Sequence, residues 1–149
     1  MTTRPDIRTV AGVDAAYDGS DDSVGVTKLV VLRYPELELL HSSEAAMADL
    51  PAYRPGHLFQ REGKWSLELI QRARRQGVSI DVLFVDGFGT LHPKRFGYAC
   101  ELGAKAGVRT IGVGKNLLQI DGLPSEKEVK AQCRQKLGRD GDGGRGDNG

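Results

Sequence analysis

Two apolar runs in this chain each end in an aspartate: Val10-Ala11-Gly12-Val13-Asp14 and Val82-Leu83-Phe84-Val85-Asp86-Gly87. Short runs of this kind, bounded by turn residues, read as buried strands. A buried strand that ends in a carboxylate exposes that carboxylate at the sheet edge. If the two strands are neighbours, their acids meet there. Each Asp alone reads more readily as a turn or cap residue, so their pairing carries the argument.

The rest of the pattern supplies the layers such strands need. Val10 to Tyr17 is the first expected strand, and Lys28 to Tyr34 (KLVVLRY) the second. Glu38 to Ala46 (ELLHSSEAA) is the third. The turn cluster Asp18-Gly19-Ser20-Asp21-Asp22-Ser23 and the break at Tyr34-Pro35-Glu36 make these an antiparallel meander. Leu50 to Gln60, with Pro51, Pro55 and Gly56, is expected to be an irregular loop. Gly63 to Gln76 has helical spacing, with Trp65, Leu69 and Ala73 at four-residue steps and Leu67 and Ile70 three apart. Gly77 stands in the usual position for ending it. A strand over Val82 to Val85, a helix over Phe96 to Ala106 and a strand over Thr110 to Val113 follow. A last polar helix spans Ser125 to Leu137, where Ser125 and Glu128 form a capping box. The order β-β-β-α-β-α-β-α is an α/β mixed sheet, an antiparallel meander followed by parallel strands with helices packed on it. That is the ribonuclease-H-like arrangement. Residues 1–137 are read as the domain. Residues 138–149, only Gly, Arg, Asp and one Asn, have nothing apolar to bury and are expected to be a disordered tail.

Composition narrows the function classes. The chain has 149 residues, 39% hydrophobic and 28% charged, an ordinary globular mix. No apolar run reaches the roughly 18 residues of a membrane span, and Met1 to Thr9 lacks the apolar core of a secretory signal. Cys100 and Cys133 form no CxxC pair. This fits a reducing compartment, cytoplasmic or nuclear, including the nucleolus, rather than secretion. A net charge of +1 does not announce a nucleic-acid binder. The cluster Arg72, Arg74 and Arg75 reads first as the solvated face of a helix.

The chemistry follows from the acids. Hard cations such as Mg²⁺ take oxygen ligands and keep water or phosphate oxygens in the rest of their shell. A pair of such ions about 4 Å apart can hold both the attacking and the leaving oxygen of a phosphodiester. Glu62, where the loop gives way to a helix, is a third carboxylate. It reads also as an acid favoured at a helix N-terminus.

Five blocks, taken together, resemble the endonuclease V family: VAGVDAAYDG, VVLRYPELE, YRPGHLFQRE, LFVDGFGTLHPKRFG and TIGVGKNLLQIDGL. They occur in the family's order and cover roughly residues 10–123. The resemblance implies a nuclease that uses Mg²⁺, with Mn²⁺ as a substitute, and cuts single-stranded RNA or DNA 3′ to inosine. The cut falls one bond beyond the base's immediate 3′ neighbour and leaves 3′-hydroxyl and 5′-phosphate ends. The block GKNLLQIDGL is more similar to the animal members, which favour RNA. Asp14, Glu62 and Asp86 are implied as metal ligands, and His92 and Lys115 as groups near the scissile phosphate. The segment Pro51 to Gly56 looks like the family's wedge loop, usually Pro-Tyr-Ile-Pro, with Ala52 and Arg54 in place of the first Pro and the Ile. Tyr53 would push between bases; Arg54, Pro55, Gly56, Arg61 and Lys94 would lie along the nucleic acid. Gly87 would let backbone approach the extruded base, between walls formed by Leu58 and Leu118, although core packing is also a ready role for both leucines. Phe88 stands where many members carry a polar residue. The substrate expected is a single strand containing inosine, and the protein is expected to be a monomer off the membrane.

Asp86-Gly87-Phe88-Gly89-Thr90-Leu91 is also similar to the Asp-x-Asp-Gly-Thr-Leu opening of haloacid-dehalogenase phosphatases. Phe88 replaces the acid that motif requires, and the motif belongs near a chain start. Family members usually extend beyond both ends of the match, and one downstream segment brings a Gly-His motif near the metals. The expectation is therefore a truncated form, with a binding-only protein as the alternative to an active nuclease.

Overall fold

The computed structural model describes residues 6–116, Gly122 and 124–140. Leu118 and residues 141–149 of the expected tail lie outside the described residues. The chain divides into two compact units, Met1–Lys115 and Asn116–Gly149.

The first unit holds three long strands, β1 (Thr9–Tyr17), β2 (Gly25–Arg33) and β3 (Leu39–Met47), then α1 (Leu58–Arg75), β4 (Val82–Asp86), α2 (Tyr98–Ala106) and β5 (Arg109–Val113). They build one five-stranded sheet in the order β3-β2-β1-β4-β5. The β1, β2 and β3 strands pair antiparallel, as the meander requires. Both β1–β4 and β4–β5 are parallel, so chain connections through helices must link them. This is the mixed, ribonuclease-H-like sheet expected from the sequence.

Alternation decides which face is covered. Leu29, Val31, Leu83 and Val85 are essentially without solvent contact and join Leu69, Ile70 and Ala73 of α1 and Ala99 and Leu102 of α2 in one core. The helices therefore lie on one face, and the intervening residues point away from it. Arg72, Arg74 and Arg75 occupy the last turn of α1, where cations suit the exposed carbonyls. Arg75 pairs with Glu68 at 2.9 Å and Arg74 donates to the carbonyl of Ala106 at 2.6 Å. The reading of this cluster as a helix face holds.

Three boundaries differ from expectation by three residues or more. The α1 helix begins at Leu58, five residues before Gly63. Gly63 sits inside it because the Phe59 ring lies where a Cβ would be, 2.4 Å away. The irregular loop is correspondingly shorter, and Glu62 sits within the helix rather than at its start. The β2 strand begins at Gly25, three residues before Lys28, because β1 runs to Tyr17 as expected and β2 keeps pairing with it after β4 has stopped. In the second unit α3 (Glu126–Asp140) extends through Gly138, three residues into the stretch that composition assigned to the tail. Its capping box forms as expected: the Ser125 hydroxyl and amide donate to Glu128 Oε2 at 2.7 and 2.6 Å.

Candidate active site

Parallel register brings the two aspartates together. The last β1–β4 pair is Val13 with Val85, so Asp14 and Asp86 are the next residues on each strand, on the face away from the helices. The Asp14 carboxyl is held above the usual carboxylate range, first by desolvation and then by Asp86 within hydrogen-bonding reach; its hydrogen bond from the Ala15 amide opposes this. Lys115 follows β5, and its Nζ donates to Asp86 Oδ2 at 2.7 Å. That contact and the surrounding carboxylates raise the ammonium pKa.

Glu62 arrives from the other side of the sheet edge. Glu62, Ser66, Leu69, Ile70 and Ala73 form the buried stripe of α1, and only 7% of Glu62 is exposed. Burial lifts its pKa, and the charges of Asp86 and Asp14 lift it further; the Tyr17 hydrogen bond and Arg61 oppose them. Glu62 therefore lies within electrostatic range of both aspartates. Its Oε1 accepts a hydrogen bond from the Tyr17 hydroxyl. Among the described residues no three His, Cys, Asp or Glu side chains are drawn together tightly enough to hold a metal ion as they stand.

The loop over residues 51–57 leaves Tyr53 56% exposed, with Arg54, Pro55 and Gly56 also exposed. Beneath it is a cavity of about 280 Å³ lined by Pro51, Ala52, Arg54, His57, Gln60 and Arg61. His92 is buried, and its ring spans two loops. Nε2 donates to the carbonyl of Gly56 at 3.1 Å, and Nδ1 accepts from the Lys94 amide at 3.2 Å. Both nitrogens are thus engaged in holding the loop. Arg61 is likewise turned inward. It donates to the carbonyls of Pro51, at 2.8 Å, and Asp22, and stacks on the Tyr17 ring at 4.3 Å. Lys94 is exposed. Leu58 is half-buried against the core, the bland role foreseen for it.

Gly87 is a glycine for a packing reason. A Cβ there would meet the Tyr98 ring at 2.8 Å, and its amide donates to the carbonyl of Val113 at 2.9 Å. Phe88 covers Gly114, whose Cβ position lies 2.5 Å from the ring. Sequence reasoning missed Tyr17 and Tyr98. Tyr17 sat in plain view in AAYDG, but its partner is 45 residues away. Tyr98 anchors α2 to α1 through Ser66 at 2.7 Å, across 32 residues.

The sequence matches the Endonuclease V family model over residues 1–142. The chain belongs to the endonuclease V family. Human Endonuclease V is 40% identical over 131 residues, covering 86% of this chain and 46% of that protein. Endonuclease V of Nocardia farcinica is 41% identical over 112 residues, 75% of this chain and 48% of the relative. This endonuclease V chain thus spans about half the length of those relatives. Among solved structures, the catalytic domain of human Endonuclease V superposes with a TM-score of 0.79 at 37% identity, over 86% of this chain and 53% of that one. Ciona intestinalis Endonuclease V, solved with a 24mer DNA containing an inosine followed by a ribo-adenosine, gives 0.77 at 31% identity over 91% and 57%. Among the described residues no helix is long and apolar enough to cross a membrane.

Proposed function

We propose that this chain is a divalent-metal-dependent endonuclease that cuts single-stranded RNA or DNA 3′ to inosine. The observation that carries the reading is the meeting of Asp14 and Asp86 at the end of parallel strands, with Glu62 in charge range of both.

The residues fit a hard cation. Two facing carboxylates repel, which is part of why the Asp14 pKa is raised, and an ion between them would relieve that repulsion. Mg²⁺ is commonly held by only one or two carboxylates plus phosphate oxygens. Asp14 and Asp86 would hold it, and Glu62 would add a third oxygen. Mg²⁺, or Mn²⁺ in its place, would polarise the scissile phosphate as a Lewis acid. The chain's own groups supply the rest. The Lys115 ammonium, beside Asp86, offers positive charge where phosphate charge builds up. Tyr53 offers a ring for stacking against unpaired bases, and His92 holds the loop that carries it. Arg54 and Lys94 are exposed cations suited to the backbone.

Labelled single strands of RNA and DNA, with and without inosine, test the proposal. One Mg²⁺-dependent product 3′ to inosine, absent in EDTA and with Asp86→Asn, is the expected result. No cleavage by the folded native chain, or full cleavage by Asp86→Asn, rejects it. The second reading, binding without cutting, is favoured by the lack of a closed three-carboxylate group among the described residues. Gel-shift retention in Ca²⁺ with no turnover in Mg²⁺ or Mn²⁺ would establish it, and the retention should weaken steeply with salt.

A further inference from the structure

Glu62 is a buried carboxylate on the core-facing stripe of a helix, and a group of that kind needs partners to fix its direction. Its Oε1 accepts from the Tyr17 hydroxyl. Among the described residues no other hydrogen bond to this carboxylate is formed, so Oε2 is left for another partner. Tyr17 itself is braced. The Arg61 guanidinium lies 4.3 Å from its ring centroid and is in turn tied to Pro51 at 2.8 Å and to the carbonyl of Asp22. A line of contacts thus runs from the β1–β2 turn through Arg61 and Tyr17 to Glu62. Tyr17 lies three residues after Asp14 on the same strand, so the brace is built on the element that carries the first aspartate.

We propose that Tyr17 is a positioning residue for metal binding: its hydroxyl fixes Glu62 Oε1 and thereby presents Oε2 to the Asp14–Asp86 pair. The inference rests on the metal-site reading above. Outer partners of this kind orient a ligand before the ion arrives, and removing one typically weakens metal affinity about tenfold or more. Tyr17→Phe is the sharp variant because it keeps the ring under Arg61 and deletes only the hydroxyl.

Mn²⁺ affinity, measured by electron paramagnetic resonance on the full chain, is the readout. Native, Tyr17→Phe, Glu62→Gln and the double variant are compared, each shown to melt cooperatively. Tyr17→Phe is expected to bind Mn²⁺ about tenfold more weakly. In the Glu62→Gln background the same change should add less than about twofold, because the two residues act through one contact. Equal affinity of native and Tyr17→Phe overturns the inference while leaving the metal site standing. So does full additivity of the two substitutions. No Mn²⁺ uptake by the native chain overturns the metal-site reading itself and this inference with it. A second measurement needs no destabilising variant. With 3-fluorotyrosine placed at position 17, Mg²⁺ titration should move its fluorine resonance with the midpoint of ion binding. A resonance blind to Mg²⁺, in a chain that binds it, overturns the proposal.

Discussion

The two faces of the sheet are built to different standards. On the helix side, Leu83 and Val85 of β4 have no solvent contact. On the other side, Phe84 between them is 42% exposed, and on β5 its partner Ile111 and Asp86's partner Val113 are each 47% exposed. The same five-residue strand is thus core on one face and surface on the other. The candidate site straddles this divide. Asp14 and Asp86 belong by alternation to the exposed face, while Glu62, Tyr17 and Arg61 belong to the packed one. The lesson is that the packed face supplies rigidity and the exposed face supplies access, and a carboxylate site at their shared edge draws on both. Preorganised ligands need such a rigid backing.

That comparison can be broken at several points. The largest effect is expected at the junction. Asp86→Asn should lower inosine-directed cleavage by at least about a hundredfold, since even outer partners of metal ligands cost up to that much, with the melting curve largely preserved. Labelled-strand assays beside thermal melts check it; a variant that cuts normally would remove the site from this edge. Next come the faces themselves. Leu83→Ala should cost about 2–5 kcal/mol in denaturant unfolding, while its neighbour Phe84→Ala should cost roughly 1 kcal/mol or less because much of that ring is already in water. Equal losses would show that the exposed face is covered in solution. Arg61→Met should follow, at about 1–3 kcal/mol, because it orphans two carbonyl acceptors that the guanidinium now satisfies.

The smallest effect is a pH dependence. The folded-state pKa of Glu62 is raised, chiefly by burial, so the folded chain binds that proton more tightly than the unfolded one. The stability tied to this proton is present below the unfolded carboxylate range and is lost as pH rises through the raised folded value. Without divalent ions, Glu62→Gln should therefore melt above the native chain at neutral pH. The gap should close as pH falls through the folded Glu62 pKa. A gap that widens on acidification would mean that Arg61 and Tyr17 outweigh burial.

Most of the architecture is legible in the sequence. Four strands followed from their apolar runs and β3 only weakly from its own residues, α1 and α2 from their spacing and the following Gly77 and Gly107, and the cap of α3 from Ser125 and Glu128. These are local signals, and nearby residues decide them. The edges of elements were less legible. Gly63 reads as a place to start a helix, yet its lack of a side chain is used to seat Phe59. Nothing in the local sequence says that β2 would begin as early as Gly25 to pair with Tyr17.

What the chain by itself determined is therefore the set of elements, the two aspartates at apolar strand ends and the family these residues signal. Strand order and the partners of each side chain were left to the tertiary structure. Only parallel pairing of β1 with β4 makes neighbours of acids 72 positions apart in the sequence. Only packing of α1 on the sheet gives Glu62 its tyrosine and turns Arg61 inward, and only the fold sets the Gly56 carbonyl beside Nε2 of His92. The reason is physical: periodicity and capping act over a few residues, whereas a buried polar group takes whatever partner the closed fold sets beside it, at any distance along the chain.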